Sequence, residues 1–183
     1  MFGISNSADL FEKLKHDSFN LCKEWNAYDA LNFLITSWHL HHDWVKSDPS
    51  NALSRIKRRP KNLPNEMNFV LDVVKDLGNG SKHFQLDVGP ANKRQVSEVH
   101  TGSEVGWYEY FFHEDLPAVT VQENWYFSIR VLHNIVMSYF YWVFDENIDS
   151  KHFPNEIVEA ILFCNIANRK SGSPPEIWNL NCK

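Results

Sequence analysis

The stretch NWYFSIRVLHNIVMSYFYWVFDE, residues 124–146, is the most apolar part of this 183-residue chain. Apolar residues occupy nearly every position instead of one face, which is typical of a helix buried on all sides. The sequence therefore predicts a helix from Asn124 to about Glu146 at the centre of the domain. Polar residues such as His133 interrupt the run, so no segment reaches the roughly 20 apolar residues that cross a bilayer.

Four further helices are predicted where apolar residues recur at steps of three and four. Capping residues and prolines set their ends. The predicted ranges are Ser7 to before Asn26, with Asn6 or Ser7 as the cap; Asn26 to Lys46; Pro64 to about Phe84; and Pro154 to Asn168. The apolar stripe of the first helix is expected to comprise Leu10, Phe11, Leu14, Phe19 and Leu21.

Between residues 85 and 121 the pattern changes to β-favouring residues. The segment VSEVHTGSEVGWYEYFF has turn residues at Thr101–Ser103, as expected for a hairpin, and TVQ around residue 121 can add a third strand. The predicted fold is thus mainly α, a four- or five-helix bundle with a small β-hairpin inserted between helices three and four. We expect one domain over residues 1–183, with the insertion at about 86–121 and a loose tail at about 169–183.

Charge and cysteine content limit the class of protein. A net charge of −5 argues against a general nucleic-acid coat, although five of the seven residues from Arg55 to Lys61 are basic and form either a solvated loop or a phosphate contact. Cys22, Cys164 and Cys182 fit neither a disulfide framework nor a zinc pair. With no secretory signal in MFGISNSADLFEKLK, the sequence predicts a cytoplasmic protein without a membrane segment.

Polar residues follow one face of each of the two middle helices, at steps of three and four. In the second helix they are Asn32, Thr36, His39 and Asp43; in the third they are Asp72, Asp76, Asn79 and His83. Such stripes can be the polar outer faces of amphipathic helices, but outer faces usually favour Lys, Glu and Gln, whereas short polar side chains suit a buried network. If the two helices pack antiparallel, His39 lies roughly level with Asp72, and a His facing an Asp can serve as a general acid or base.

The buried-site hypothesis also includes two residues of the central helix. Arg130 and His133 are three positions apart, and a guanidinium in so apolar a helix should need a carboxylate or a bound anion to offset its desolvation, with Asp72 and Asp76 as the expected partners. The candidate catalytic residues are His39, Asp43, Asp72, His83 and Arg130, and the candidate ligand-binding residues are Asn32, Asp76, Asn79, Lys82 and His133. Lys82 and His83 equally fit a role at the helix C-terminus, where cations are favoured.

Metal binding is an alternative for WHLHHDW, residues 38–44, because His39, His42 and Asp43 have a suitable helical spacing. No HExxH or comparable signature is present, so we assign no metal ligands and name no cofactor. His41 is expected to be an exposed neighbour.

A helix ending WHLHHDW followed by a helix ending DLGNGSKHF resembles a group of small bacterial and phage helical proteins that carry the same pair of motifs. This resemblance implies no particular activity. More distantly, the helical bundle resembles the HEPN superfamily, whose nuclease members carry an Arg followed after four to six residues by a His, on a helix that lines a dimer cleft. RQVSEVH supplies Arg94 and His100 at that spacing, but in the predicted hairpin.

Three functions remain open from the sequence. The first is a cytoplasmic binding or regulatory protein with a buried His/Asp/Asn/Arg site for a small polar ligand. The second, which the HEPN resemblance implies, is a ribonuclease acting on RNA as a homodimer, or else a metal-assisted hydrolase. The third is a protein-interaction module in phage or host defence, which would use the aromatic segment WYEYFF as its contact surface.

Overall fold

The computed structural model describes residues 3–48, 63–80, 95–100, 118–144, 152–167 and 175–179. Its helices are α1 Ser7–Lys23, α2 Ala27–His39, a π-helical turn Leu40–Trp44, α3 Val45–Ser47, α4 Asn65–Gly80, α5 Ile129–Phe144, α6 Asn155–Phe163 and a 3-10 turn Glu176–Asn179. Within these ranges, five helices are two or more turns long, and a small sheet lies between α4 and α5. The prediction of a mainly α protein is confirmed.

The sheet has three antiparallel strands in the order β1 Val96–His100, β2 Ala118–Val121 and β3 Trp125–Ser128. The strand expected around residue 121 is present, and it forms a hairpin with β3. The second arm of the predicted hairpin, WYEYFF at residues 107–112, lies outside the described residues.

The predicted start of the central helix is wrong, because residues 125–128 form β3 and α5 begins only at Ile129. An apolar run does not distinguish a buried strand from a buried helix by periodicity, and Trp, Tyr and Phe favour strands. Ser128 caps the new start, since its Oγ accepts a hydrogen bond from the backbone N–H of Val131 at 3.2 Å. Strand and helix therefore join without a linker.

The central position of α5 is confirmed, because most of its side chains are buried on all sides of the helix. The buried residues are Ile129, Val131, Leu132, His133, Asn134, Ile135, Val136, Met137, Tyr139, Phe140, Trp142 and Val143. Tyr141 is 51% exposed and marks the side that faces solvent.

Helix α1 starts as predicted, with the Asn6 side chain accepting a hydrogen bond from the backbone N–H of Asp9 at 2.9 Å. Ser7 has a different role: its backbone N–H and its Oγ both donate to Asp48 Oδ2, at 2.7 and 2.6 Å. Both residues are buried, so this contact ties the start of α1 to the end of α3. The prediction that Phe19 belongs to the core is wrong, because it is 57% exposed.

A second buried polar contact joins α1 to α2. The Thr36 hydroxyl donates to Asp17 Oδ2 at 2.6 Å, and Lys13 Nζ contacts both residues, at 2.5 Å from Asp17 and 2.7 Å from Thr36. Asp17 and Thr36 are buried, and the three groups satisfy one another. Thr36 therefore belongs to a contact between helices.

The end of α6 was also predicted too late. Helix α6 stops at Phe163 because the following residues pair with the sheet: the Tyr126 N–H donates to the Cys164 carbonyl at 3.0 Å, and the Ile166 N–H donates to the Asn124 carbonyl at 2.8 Å. The Cys164 carbonyl and the Ile166 N–H are then not available for the hydrogen bonds that would extend the helix.

The cysteine expectation is wrong for Cys22, which is disulfide-bonded. Spacing along the chain does not reveal which sulfur atoms meet in the fold. Cys164 is buried, and its Sγ donates to the Ala160 carbonyl. Among the described residues, no helix combines the length and apolar character of a membrane span. The cytoplasmic setting stays a prediction.

The turn between β2 and β3 provides a test of backbone strain. Gln122 and Glu123 have φ angles of 49° and 64°, a region that costs an L-residue about 1 kcal/mol and glycine almost nothing. We expect Glu123→Gly to raise the free energy of unfolding by about 0.5 kcal/mol after the larger chain entropy of glycine is subtracted. Glu123→Ala is the matched control and should give no gain in urea unfolding; equal gains in both variants would contradict this account.

Candidate functional site

The WHLHHDW segment contains a cluster of hydrogen-bonded polar side chains at the surface, and it is built on a π-helical turn. The N–H of Val45 donates to the carbonyl of Leu40, five residues earlier, in place of the usual four. Single π turns inside α-helices are rare and often occur at functional sites. Leu40 and Val45 are buried, so the turn is anchored in the core while other positions face outward.

The carboxylate of Asp43 accepts hydrogen bonds from two of the three histidines in this segment. His39 Nδ1 donates to Asp43 Oδ2 at 2.8 Å, and His42 Nδ1 donates to Asp43 Oδ1 at 2.7 Å. The exposed fractions of the side chains are 35% for His39, 48% for Asp43 and 50% for His42. We call these three residues the Asp43 cluster. Because both oxygens of Asp43 accept from an Nδ1–H, each ring is fixed in one orientation.

The electrostatics of the cluster follow from these bonds. The hydrogen bond from His39 is the main cause that holds the pKa of Asp43 below its usual range, and the bond from His42 adds to it. Asp43 is therefore a carboxylate at neutral pH. The His42 ring stacks on Trp38, with centroids 4.6 Å apart and planes at 28°. Since Nε2 lies across the imidazole from Nδ1, the His42 Nε2 edge points away from Asp43.

His41 faces the opposite way and was wrongly predicted to be an exposed neighbour. Its Nδ1 lies 2.9 Å from the hydroxyl of Tyr139, which is fully buried on α5. Burial lowers the pKa of His41 to about 4 and raises the pKa of Tyr139, so both groups are uncharged at neutral pH. His41 thus connects the π turn to the central helix.

The two predicted polar stripes do not form one buried site. Asn32 and Asp72 are exposed, and Asn79 is half-buried. Asp76 accepts the backbone N–H of Gln95 on its Oδ2 at 2.5 Å, which joins α4 to the residue before β1. Helices α2 and α4 do pack together, since a Cβ added at Gly78 would lie 3.4 Å from Trp38 Cβ. Lys82 and His83 lie outside the described residues.

The expected burial of Arg130 is also wrong. Arg130 is exposed, and its guanidinium lies 5.4 Å from the centre of the Trp25 ring. Arg130 is the second residue of α5, where the helix is still in contact with solvent. Its charge therefore stays hydrated, whereas the apolar sequence predicted that it would be desolvated. A cation over an indole ring is favourable.

His133 is buried, as a member of a polar site should be, but its neighbours are not the predicted ones. Its Nε2 lies 2.7 Å from Ser18 Oγ, and its Nδ1 lies 2.9 Å from Asn134 Oδ1. Asn134 Nδ2 donates to the Ile177 carbonyl at 3.0 Å. We call these four residues the His133 network; it joins α1, α5 and the 3-10 turn.

Metal binding finds no support within the described ranges, where no group of three His, Cys, Asp or Glu side chains could hold an ion. In the Asp43 cluster, the carboxylate oxygens already accept the Nδ1 protons of both rings. Of the HEPN-like pair, His100 lies in β1 and not on a helix, and Arg94 lies outside the described residues.

The residues that the predicted site omitted are His41, Ser18 and Asn134. His41 continues the spacing of the core residues Leu34 and Val45, and Ser18 continues that of Leu14 and Leu21, so helical periodicity predicts both on buried faces.

Comparison with models of known protein families, with curated proteins and with solved structures finds no match to this chain.

The half-buried imidazole of His41, whose pKa burial lowers, should make the folded state sensitive to acid. An unfolded chain protonates this ring below a pKa of 6.5, whereas the folded protein does so only near a pKa of about 4. Stability is therefore lost as the pH falls through this window, by at most about 3 kcal/mol from His41. We expect His41→Gln to reduce this loss in urea unfolding between about pH 7 and about pH 4.5.

The matched control is His16→Gln, since His16 is exposed on α1. It should lose as much stability on acidification as the native protein. If the His41→Gln variant showed that same loss, the assignment of acid sensitivity to His41 would be wrong.

Proposed function

We propose that this chain is a binding or regulatory protein that holds a small polar ligand at the Asp43 cluster. The observation that carries the proposal is the shared carboxylate, which accepts Nδ1–H from both His39 and His42. Groups held this way lose little side-chain freedom when a ligand binds, and such preorganisation favours affinity.

The chemistry of His42 defines the class of ligand. With Nδ1–H donated to Asp43, its Nε2 accepts a hydrogen bond when the ring is neutral and donates one when the ring is protonated. The Lys46 ammonium lies two residues after the WHLHHDW segment, on α3, and its positive charge acts on His41, the neighbour of His42. A small oxyanion with a hydroxyl group, such as hydrogen phosphate, can use both kinds of hydrogen bond.

Inorganic phosphate is a suitable probe, followed through the histidine ring nitrogen signals in NMR. We expect His42 Nε2 to shift on titration, with smaller changes at His41, which faces the core. Asp43→Asn should weaken phosphate binding about tenfold or more, because a bond to a charged acceptor is worth roughly 1.5–3 kcal/mol. His152→Ala, at an exposed histidine, is the control and should bind as the native protein does.

Unchanged ring signals in the native protein at millimolar phosphate would contradict an oxyanion site. Binding that persisted in Asp43→Asn would contradict the role given to the shared carboxylate.

A second function, general acid–base catalysis in a ribonuclease or hydrolase, is favoured by the same Asp43–His42 pair. A carboxylate that fixes Nδ1–H leaves Nε2 to take and return a proton during reaction. Cleavage of a labelled single-stranded RNA that fell at least about 100-fold in His42→Ala would support it. Absence of cleavage by the native protein, with and without divalent metal ions, would exclude ribonuclease activity.

A further inference from the structure

The His133 network, which the proposed binding function does not use, places a hydroxyl, an imidazole and an amide in series. Ser18 Oγ is 2.7 Å from His133 Nε2, and His133 Nδ1 is 2.9 Å from Asn134 Oδ1. Ser18 comes from α1, and the other two residues come from α5. Nucleophile, base and a group that orients the base have this same order in enzymes that act through a serine.

The positions of the protons follow from the partners. The Ile177 carbonyl can only accept, so Asn134 must present its amide Nδ2 to it and its Oδ1 to His133. Because Oδ1 also can only accept, the proton of the neutral imidazole lies on Nδ1. Nε2 then carries the lone pair, and the Ser18 O–H donates to it. This is the tautomer that a general base requires.

The surroundings favour the same assignment. His133 is 5% exposed, and burial lowers its pKa, so the ring is neutral and able to accept a proton at neutral pH. Ser18 is only half-buried, so it lies at the edge of the core, whereas His133 lies inside it. The rings of Trp25 and Phe33 lie 5.5 and 4.9 Å from the His133 ring and provide an apolar wall.

We propose that Ser18 is a catalytic nucleophile with His133 as its base and Asn134 as a positioning residue, and that the chain hydrolyses small carboxylic esters. A small apolar acyl group suits the Trp25 and Phe33 rings beside the base. This activity is independent of ligand binding at the Asp43 cluster.

The reaction balances with ester and water alone. Ser18 Oγ bonds to the carbonyl carbon while its proton moves to His133 Nε2, which leaves an imidazolium that still donates Nδ1–H to Asn134. As the ester C–O bond breaks, Nε2 returns the proton to the departing alkoxide, and the acyl group stays on Ser18. Water then attacks the acyl carbon, its proton passes through Nε2 to Ser18, and the carboxylic acid leaves.

Asn134 sets an upper limit on the rate. An amide oxygen holds the correct tautomer but, unlike a carboxylate, adds no negative charge to stabilise the imidazolium. We therefore expect slow turnover with 4-nitrophenyl acetate and readier detection of a stable covalent product. A fluorophosphonate, which modifies activated serine hydroxyls with loss of fluoride, is the probe of choice.

The test is fluorophosphonate labelling of the native protein, with the modified residue located by mass spectrometry. Ser18 should be labelled, whereas Ser47 should not, although Ser47 is more exposed, because its hydroxyl donates to the backbone carbonyl of Asp43 and not to an imidazole. His133→Gln should slow labelling at least about 100-fold, the typical contribution of a general base. Asn134→Ala should slow it less and should change the pH profile.

The pH profile of labelling is measured on the native protein. This part of the test therefore does not depend on whether the His133→Gln and Asn134→Ala variants fold. The described groups around the ring are Ser18 and Cys22 from α1, Trp25, Phe33 from α2 and Asn134 from α5, with the charge of Arg130 one helical turn earlier. Because the pKa of His133 is lowered, the rate should be level near neutral pH and fall only below a pH of 6.5.

A rate that rose tenfold for each pH unit above neutrality would indicate uncatalysed ionisation of a hydroxyl and would overturn the proposal. So would labelling of Ser18 no faster than of Ser47. Loss of labelling in Ser18→Ala with unchanged phosphate titration at His42 would support the proposal and show that the two sites are separate.

Discussion

Burial of α5 on almost all sides is the constraint on which the rest of the structure depends. A buried polar group without a partner costs about 1–3 kcal/mol, so the buried polar side chains of this helix favour neighbours that can hydrogen-bond to them. The Tyr139 hydroxyl lies beside His41, His133 beside Ser18, and Asn134 beside the Ile177 carbonyl. These pairs set where the π turn, α1 and the 3-10 turn can dock on the central helix.

The π turn has opposite environments on its two sides. Toward the core, His41 is neutral and contacts Tyr139; toward solvent, His39 and His42 share the Asp43 carboxylate. Three histidines within four residues therefore differ in burial and in partners. The proposed ligand site depends on this division, since the inward histidine fixes the turn while the outward pair remains in contact with solvent.

Sequence periodicity predicted the helices well because burial repeats every three to four residues. It failed at residues 125–128, because an apolar strand and an apolar helix have the same sequence pattern. It also predicted that Asn32 and Asp72 face inward, although both face solvent. A polar stripe shows that residues share a face but does not show what that face meets. The contact of His133 with Ser18 could not be predicted, because the two residues are 115 positions apart along the chain.

The direct junction of β3 with α5 has a mechanical consequence. Strand and helix share a continuous backbone at Ser128 and Ile129, with the Ser128 hydroxyl bound inside the first helical turn. Because no loop separates them, a displacement of β3 would also move the start of α5. The hydroxyl of Tyr139 and the imidazole of His133 would then be displaced together, so a load on the strands would reach both polar contacts at once.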